Sequence, residues 1–154
     1  MNVSGIFGPR AHVVPLLVRL GLGALFIIAG ALKVGHAADL AAAITAYRLG
    51  LPPTVVAALA LALPPFEILL GIYLITGLLL TVSSTVAVVM LALFTAIVTS
   101  AVARGLSAPC GCFGPGDNSP ATWLTVLRDV SFLVPAVYLA WWSRNREAPG
   151  ETRA

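Results

Sequence analysis

A chain of 154 residues that is 59% hydrophobic and only 10% charged, with a mean hydropathy of +0.99, excludes a water-soluble fold, because soluble domains carry about 25% charged residues. The bilayer is the solvent that suits this composition, and one domain is the natural count. The net charge of +3 comes from arginines scattered singly, which excludes a nucleic-acid surface and fits charges that set membrane topology.

Residues 1–12 are a short polar N-terminus ending in Arg10 and His12. The apolar run Val13–Val34 follows, broken only by Arg19 and Lys33. It is long enough to span, since about 20 helical residues cross the hydrocarbon. Gly35-His36-Ala37 resembles a leader-cleavage site, but the run exceeds the roughly 7–15 apolar residues of a signal peptide, so it is read as a membrane helix. Arg19, Gly23, Phe26, Gly30 and Lys33 recur at spacings of 4, 3, 4 and 3 and share one face. Gly23 and Gly30 there allow a neighbouring helix to come close. Residues 35–53 form the first outer loop. Leu40, Ile44 and Tyr47 predict a short amphipathic helix over residues 38–48, lying at the interface with Tyr47 as an anchor and His36 as an ordinary interfacial residue. Gly50 ends it and Pro52-Pro53 opens the next span.

Thr54–Ala103 is fifty residues with one charge, Glu67. At about 1.5 Å per residue this suits two crossings. The break is expected near Gly77 or Thr81, and Pro64-Pro65 should kink the second span. Arg104–Ala121 is dense in Gly, Pro, Ser, Asp and Asn and reads as irregular backbone outside the hydrocarbon. Thr122–Trp142 is the fourth span, with Trp123, Trp141 and Trp142 at its ends as an aromatic belt places them. Residues 143–154 read as a polar, disordered tail. The expected fold is an all-α integral membrane protein, a four-transmembrane-helix bundle over residues 13–142 with a short interfacial helix in the first outer loop. Arg10, Arg144, Arg146 and Arg153 favour cytoplasmic termini in the cell membrane, with the third loop extracytoplasmic.

Charges inside spans face the bundle interior. Arg19 lies 15 residues from Val34, about 22 Å, and Glu67 lies 13 from Thr54, about 20 Å. The two helices are antiparallel neighbours, so these opposite charges lie at similar depth and Arg19 is expected to pair with Glu67. Arg128 and Asp129 lie about 10 Å inside the fourth span, and Lys33 is the expected partner of Asp129. The network serves either helix packing or proton and cofactor handling.

The sharpest chemical feature is Pro109-Cys110-Gly111-Cys112-Phe113-Gly114, which holds both cysteines of the chain. A disulfide across one residue closes a small ring away from easy geometry, so it is readily reduced. Arg104 nearby favours a thiolate. Three readings stand: a redox pair, two ligands of a soft metal such as Cu(I) or Zn(II) in a binding or transport protein, and structural loop residues of a non-catalytic scaffold.

The run RLGLGALFIIAGALK from Arg19 to Lys33, Glu67 after proline in the second span, CGCFG at 110–114 and Arg128-Asp129 together resemble the MauE family, methylamine-utilisation membrane proteins related to DoxX-like four-helix proteins. The resemblance spans about residues 13–142. It implies a role in maturing an extracytoplasmic protein, beside a thioredoxin-like partner or for a disulfide-rich client such as the small subunit of methylamine dehydrogenase. It implies Cys110 and Cys112 as the redox pair and Arg19, Lys33, Glu67, Arg128 and Asp129 as an intramembrane polar core beneath them. Thiol–disulfide oxidoreductase turnover calls for an electron donor or acceptor. A quinone between the helices fills that role, although no residue pattern marks a quinone site.

Overall fold

The computed structural model describes residues 10–106 and 120–147. These form five helices: α1 (Arg10–Lys33), α2 (Ala37–Ala46), α3 (Pro53–Thr76), α4 (Leu80–Ala103) and α5 (Trp123–Glu147). Four carry stretches long and apolar enough to cross a membrane, namely Val13–Lys33, Pro53–Thr76, Leu80–Ala103 and Trp123–Arg146. The expected multi-pass, all-helical architecture is present, with the short helix between the first two spans.

Local chemistry sets the boundaries. Pro53 opens α3, where its missing N–H leaves no intrahelical bond unmade. The helix then runs unbroken through Pro64 and Pro65 to Thr76. Gly77 takes a left-handed φ of +74° and its N–H bonds the Tyr73 carbonyl, closing α3 in the way glycine permits. Three residues, Gly77–Leu79, reverse the chain into α4. At the start of α5 the Thr122 N–H donates to Thr125 Oγ1 at 3.2 Å, the back half of a capping box. α5 continues through Ser143–Glu147, whereas the sequence reading ends the span at Trp142.

α1 packs antiparallel against α3, and α4 against α5, with lesser contacts joining the two pairs. Glycines make the first pairing close. A methyl group on Gly71 would come within 2.6 Å of both the Gly23 carbonyl and Ile27, and one on Gly30 within 2.7 Å of the Pro64 carbonyl. Between lipid-solvated helices such close packing replaces a hydrophobic driving force. Leu22, Phe26, Leu70, Leu74, Ala87, Ala136 and Leu139 form one core cluster. Tyr47, Val98, Ala101 and Ala121 form a second. The helix directions define two membrane faces. The terminal face holds the α3–α4 turn and the far end of α5. The loop face holds α2 and the residues that bracket the α4–α5 connection.

α2 spans Ala37–Ala46 and packs against the first half of α3. Leu40 and Ala43 are its buried residues, followed by Tyr47. Tyr47 is not an interfacial anchor: it is 5% exposed and lies in the second core cluster. α1 stops short of the loop face, and α2 packs against the part of α3 that extends past it.

Candidate functional site

The five charged residues of the expected polar core fall into three separate places. Lys33 Nζ donates to both Glu67 oxygens, at 2.7 and 2.9 Å. Lys33 is 7% and Glu67 5% exposed. Glu67 therefore pairs with Lys33 and not with Arg19. Equal residue counts from the outer ends do not give equal depths here, because the two helices do not start at one plane. Gly30 faces Pro64 and Glu67, Gly23 faces Gly71, and Arg19 faces Gly77. α3 thus rises fourteen residues beyond Glu67 to Pro53, about 21 Å at 1.5 Å per residue, while α1 ends at Lys33 itself. The ion pair consequently lies near the middle of α3, nine residues or about 14 Å from Thr76. One lysine satisfying both carboxylate oxygens is the arrangement that lets a buried charge pair persist.

Asp129 is not bound by Lys33. Its partner is its neighbour Arg128, whose Nη2 and Nε reach Oδ1 at 3.2 and 3.4 Å. Asp129 is 4% exposed, and its Oδ2 is buried without a hydrogen-bond partner. A buried carboxylate oxygen left open is costly and marks a place where a proton or a donor can be accepted.

Around this carboxylate the loop face converges. Arg104, at the end of α4, donates from Nη2 to the Tyr47 carbonyl at 2.9 Å and from Nε to the Ser100 carbonyl at 3.0 Å. It thereby ties the residue after α2 to α4. The Tyr47 phenol is pushed up to about 12, first by burial and then by the negative charge of Asp129, with Arg128 opposing. It stays protonated, and hence able to donate, throughout the ordinary pH range. Leu106 packs on the same cluster and Ala121 is part of it. These two residues bracket the segment that carries Cys110 and Cys112. Both cysteines lie outside the described residues, as do residues 1–9 and 148–154.

Tyr47 and Arg104 were not read as partners from sequence. The only available signal was a tyrosine closing the α2 stripe and an arginine at a span end, and neither names the other. Among the described residues no group of three or more His, Cys, Asp or Glu is placed to hold a metal ion.

A family model described as "Methylamine utilisation protein MauE" matches residues 11–142. The chain belongs to the MauE family. A curated member of it, "Methylamine utilization protein MauE" of Paracoccus denitrificans, is 30% identical over 124 residues, covering 80% of this chain and 66% of that protein. The match thus spans about two thirds of that relative's length. No solved structure matches the chain. For this MauE-family membrane protein the match takes in the first three spans, most of the fourth, α2 and the Cys-Gly-Cys segment.

Proposed function

We propose that the chain is a membrane thiol–disulfide exchange protein of methylamine utilisation, with Cys110 and Cys112 as the exchanging pair at the extracytoplasmic side. The observation that carries this reading is the convergence at the loop face: the residues that root the cysteine segment, Leu106 and Ala121, pack on the cluster formed around Tyr47, and the field of Asp129 reaches Tyr47. Cys110 is four residues from Leu106, a reach of at most about 14 Å along an extended chain. In the exchange a partner thiolate attacks one sulfur of the Cys110–Cys112 disulfide. The S–S bond breaks, a mixed disulfide forms, and the released thiolate takes up a proton. A second thiolate of the partner then attacks the mixed disulfide, so the partner leaves as a disulfide and Cys110 and Cys112 as two thiols; in the reverse direction one thiolate of the reduced pair opens a partner disulfide and the other resolves the mixed disulfide, leaving the partner reduced. Asp129, with one open oxygen, supplies a proton acceptor at this face. The partner is a thioredoxin-like protein or a disulfide-rich client, consistent with the process in the family's name.

The test is a redox titration of the full chain in native membranes. Thiols are trapped with acid, alkylated with a mass tag, and equilibrated against defined thiol buffers. A reversible two-electron transition at a potential more oxidising than about −300 mV is expected, since stable structural disulfides lie below that value. Thiols that stay reduced throughout, or that react only after chelation, would overturn the exchange reading.

A further inference from the structure

The Gly77–Leu79 turn joins two spans and so marks the terminal edge of the hydrocarbon. Lys33 stands level with Glu67, about 14 Å from Thr76, which is close to the middle of a hydrocarbon core about 30 Å thick. α1 ends there. Gly35 takes a left-handed φ of +84°, the His36 N–H bonds the Lys33 carbonyl, and α2 begins at Ala37. Its other end lies far higher. Ile44 and Thr45 line one cleft with Val56, eleven residues or about 16 Å before Glu67 in α3. The Tyr47 carbonyl, just beyond, accepts from Arg104 at the end of α4. α2 therefore runs beside the first half of α3, from near mid-membrane to the loop face.

At that depth two surfaces of opposite character stand side by side. Before Glu67, α3 has Thr54 as its one polar side chain and exposes Val55, Leu59 and Leu61, the last at 68%. Those are lipid contacts. The break and α2 instead expose Gly35, His36, Asp39 and Thr45. His36 Nδ1 and Asp39 Oδ2 are 3.4 Å apart, with side chains 50% and 61% exposed. Irregular backbone and ionisable side chains at membrane depth persist where protein buries them or water reaches them. Among the described residues no protein buries this pair.

We infer that α1 and α2 form one discontinuous span, and that its break opens to the loop-face water as a hydrated vestibule. His36 and Asp39 form its polar wall, and the buried Lys33–Glu67 pair closes its floor. Its occupants are water and small polar solutes of the loop-face compartment. An interrupted span with polar groups near mid-membrane is the arrangement by which membrane proteins admit such solutes. The vestibule uses neither cysteine, so it stands apart from the exchange reading.

The experiment reads thiol labelling in the full chain carrying Cys110→Ser and Cys112→Ser, so that an introduced cysteine is the one thiol present. The purified protein sits in phosphatidylcholine and phosphatidylglycerol nanodiscs, open to buffer on both faces, and meets a membrane-impermeant maleimide. The reacting species is the thiolate, which forms in water and not in hydrocarbon. Asp39→Cys and Ala42→Cys report the exposed side of α2. Leu61→Cys reports the lipid side of α3 at matched depth, six residues or about 9 Å from Glu67 toward the loop face. Arg48→Cys, exposed at the loop face, sets the rate for open water. Asp39→Cys and Ala42→Cys should label within about tenfold of Arg48→Cys and about tenfold or more faster than Leu61→Cys. Labelling of Leu61→Cys as fast as theirs would place this whole level outside the hydrocarbon and overturn the discontinuous span. Labelling of Asp39→Cys and Ala42→Cys as slow as that of Leu61→Cys would mean that lipid or a second copy covers α2, and would overturn the vestibule. Ala42→Cys leaves the His36–Asp39 pair in place, so its rate decides the matter if Asp39→Cys fails to assemble.

Discussion

Replacing Lys33 with methionine keeps the length of the side chain and removes its charge, leaving the Glu67 carboxylate alone near the middle of α3. The pair is short, 2.7 and 2.9 Å, and both residues are more than nine-tenths buried. At an effective dielectric of 20 a contact this close represents about 6 kcal/mol of attraction before desolvation is counted. Removing one partner of a buried pair costs about 3–5 kcal/mol, because the other charge is stranded. Removing both and filling the space with apolar atoms is often neutral or stabilising. Lys33→Met and Glu67→Met should therefore each destabilise by about 3 kcal/mol or more, while Lys33→Met/Glu67→Met should recover most of that loss. Reversible unfolding in mixed micelles, followed by circular dichroism, measures all three and gives their coupling. A coupling below about 0.6 kcal/mol, the average of a single interhelical hydrogen bond in a membrane, would refute the assignment. So would an Arg19→Ala loss as large as that of Lys33→Met, since Arg19 has no partner to strand among the described residues.

Two further expectations follow from the packing and the loop-face cluster. Gly71→Ala would press its methyl against the Gly23 carbonyl and Ile27; it should cost about 1–3 kcal/mol in the same unfolding assay, while Gly21→Ala, which meets open space, should be neutral or slightly stabilising. Tyr47 has a folded-state value raised from 10 to about 12, so the fold favours its protonated form. The stability this contributes is full below about pH 10 and is lost as pH climbs toward 12, about 2–3 kcal/mol in all. Ultraviolet titration at the phenolate band should show a component near pH 12 that Tyr47→Phe removes; a Tyr47→Phe profile identical to wild type would contradict the burial of the phenol.

What was legible in the sequence is what depends on residue type and spacing along one element. Hydropathy alone sets the four spans, because a backbone in hydrocarbon must bond to itself and helices of about 20 residues do so. Gly77 was visible as a break because few residues adopt its backbone angles. The face Arg19–Gly23–Phe26–Gly30–Lys33 was visible because helical period places those residues together, and Leu22, Phe26 and the close glycine contacts confirm which side of α1 meets its neighbours.

Partnerships between elements were not legible, and the ion pairs show why. The depth of a charge along its own helix follows from counting residues, but the offset between two helices does not. Only tertiary packing decided that α1 ends level with the middle of α3, because Gly30 docks on Pro64 and Gly23 on Gly71. That offset hands Glu67 to Lys33 and strands Arg19 beside the α3–α4 turn. The same offset opens the space in which α2 packs on α3, and Tyr47 at the end of α2 lies buried in the second core cluster. Sequence determined that this chain dissolves in a membrane, how many times it crosses, and which residues carry chemistry. Tertiary structure decided which of those residues meet, because the register between packed helices is set by the fit of small side chains against backbone, a relation that no single helix contains.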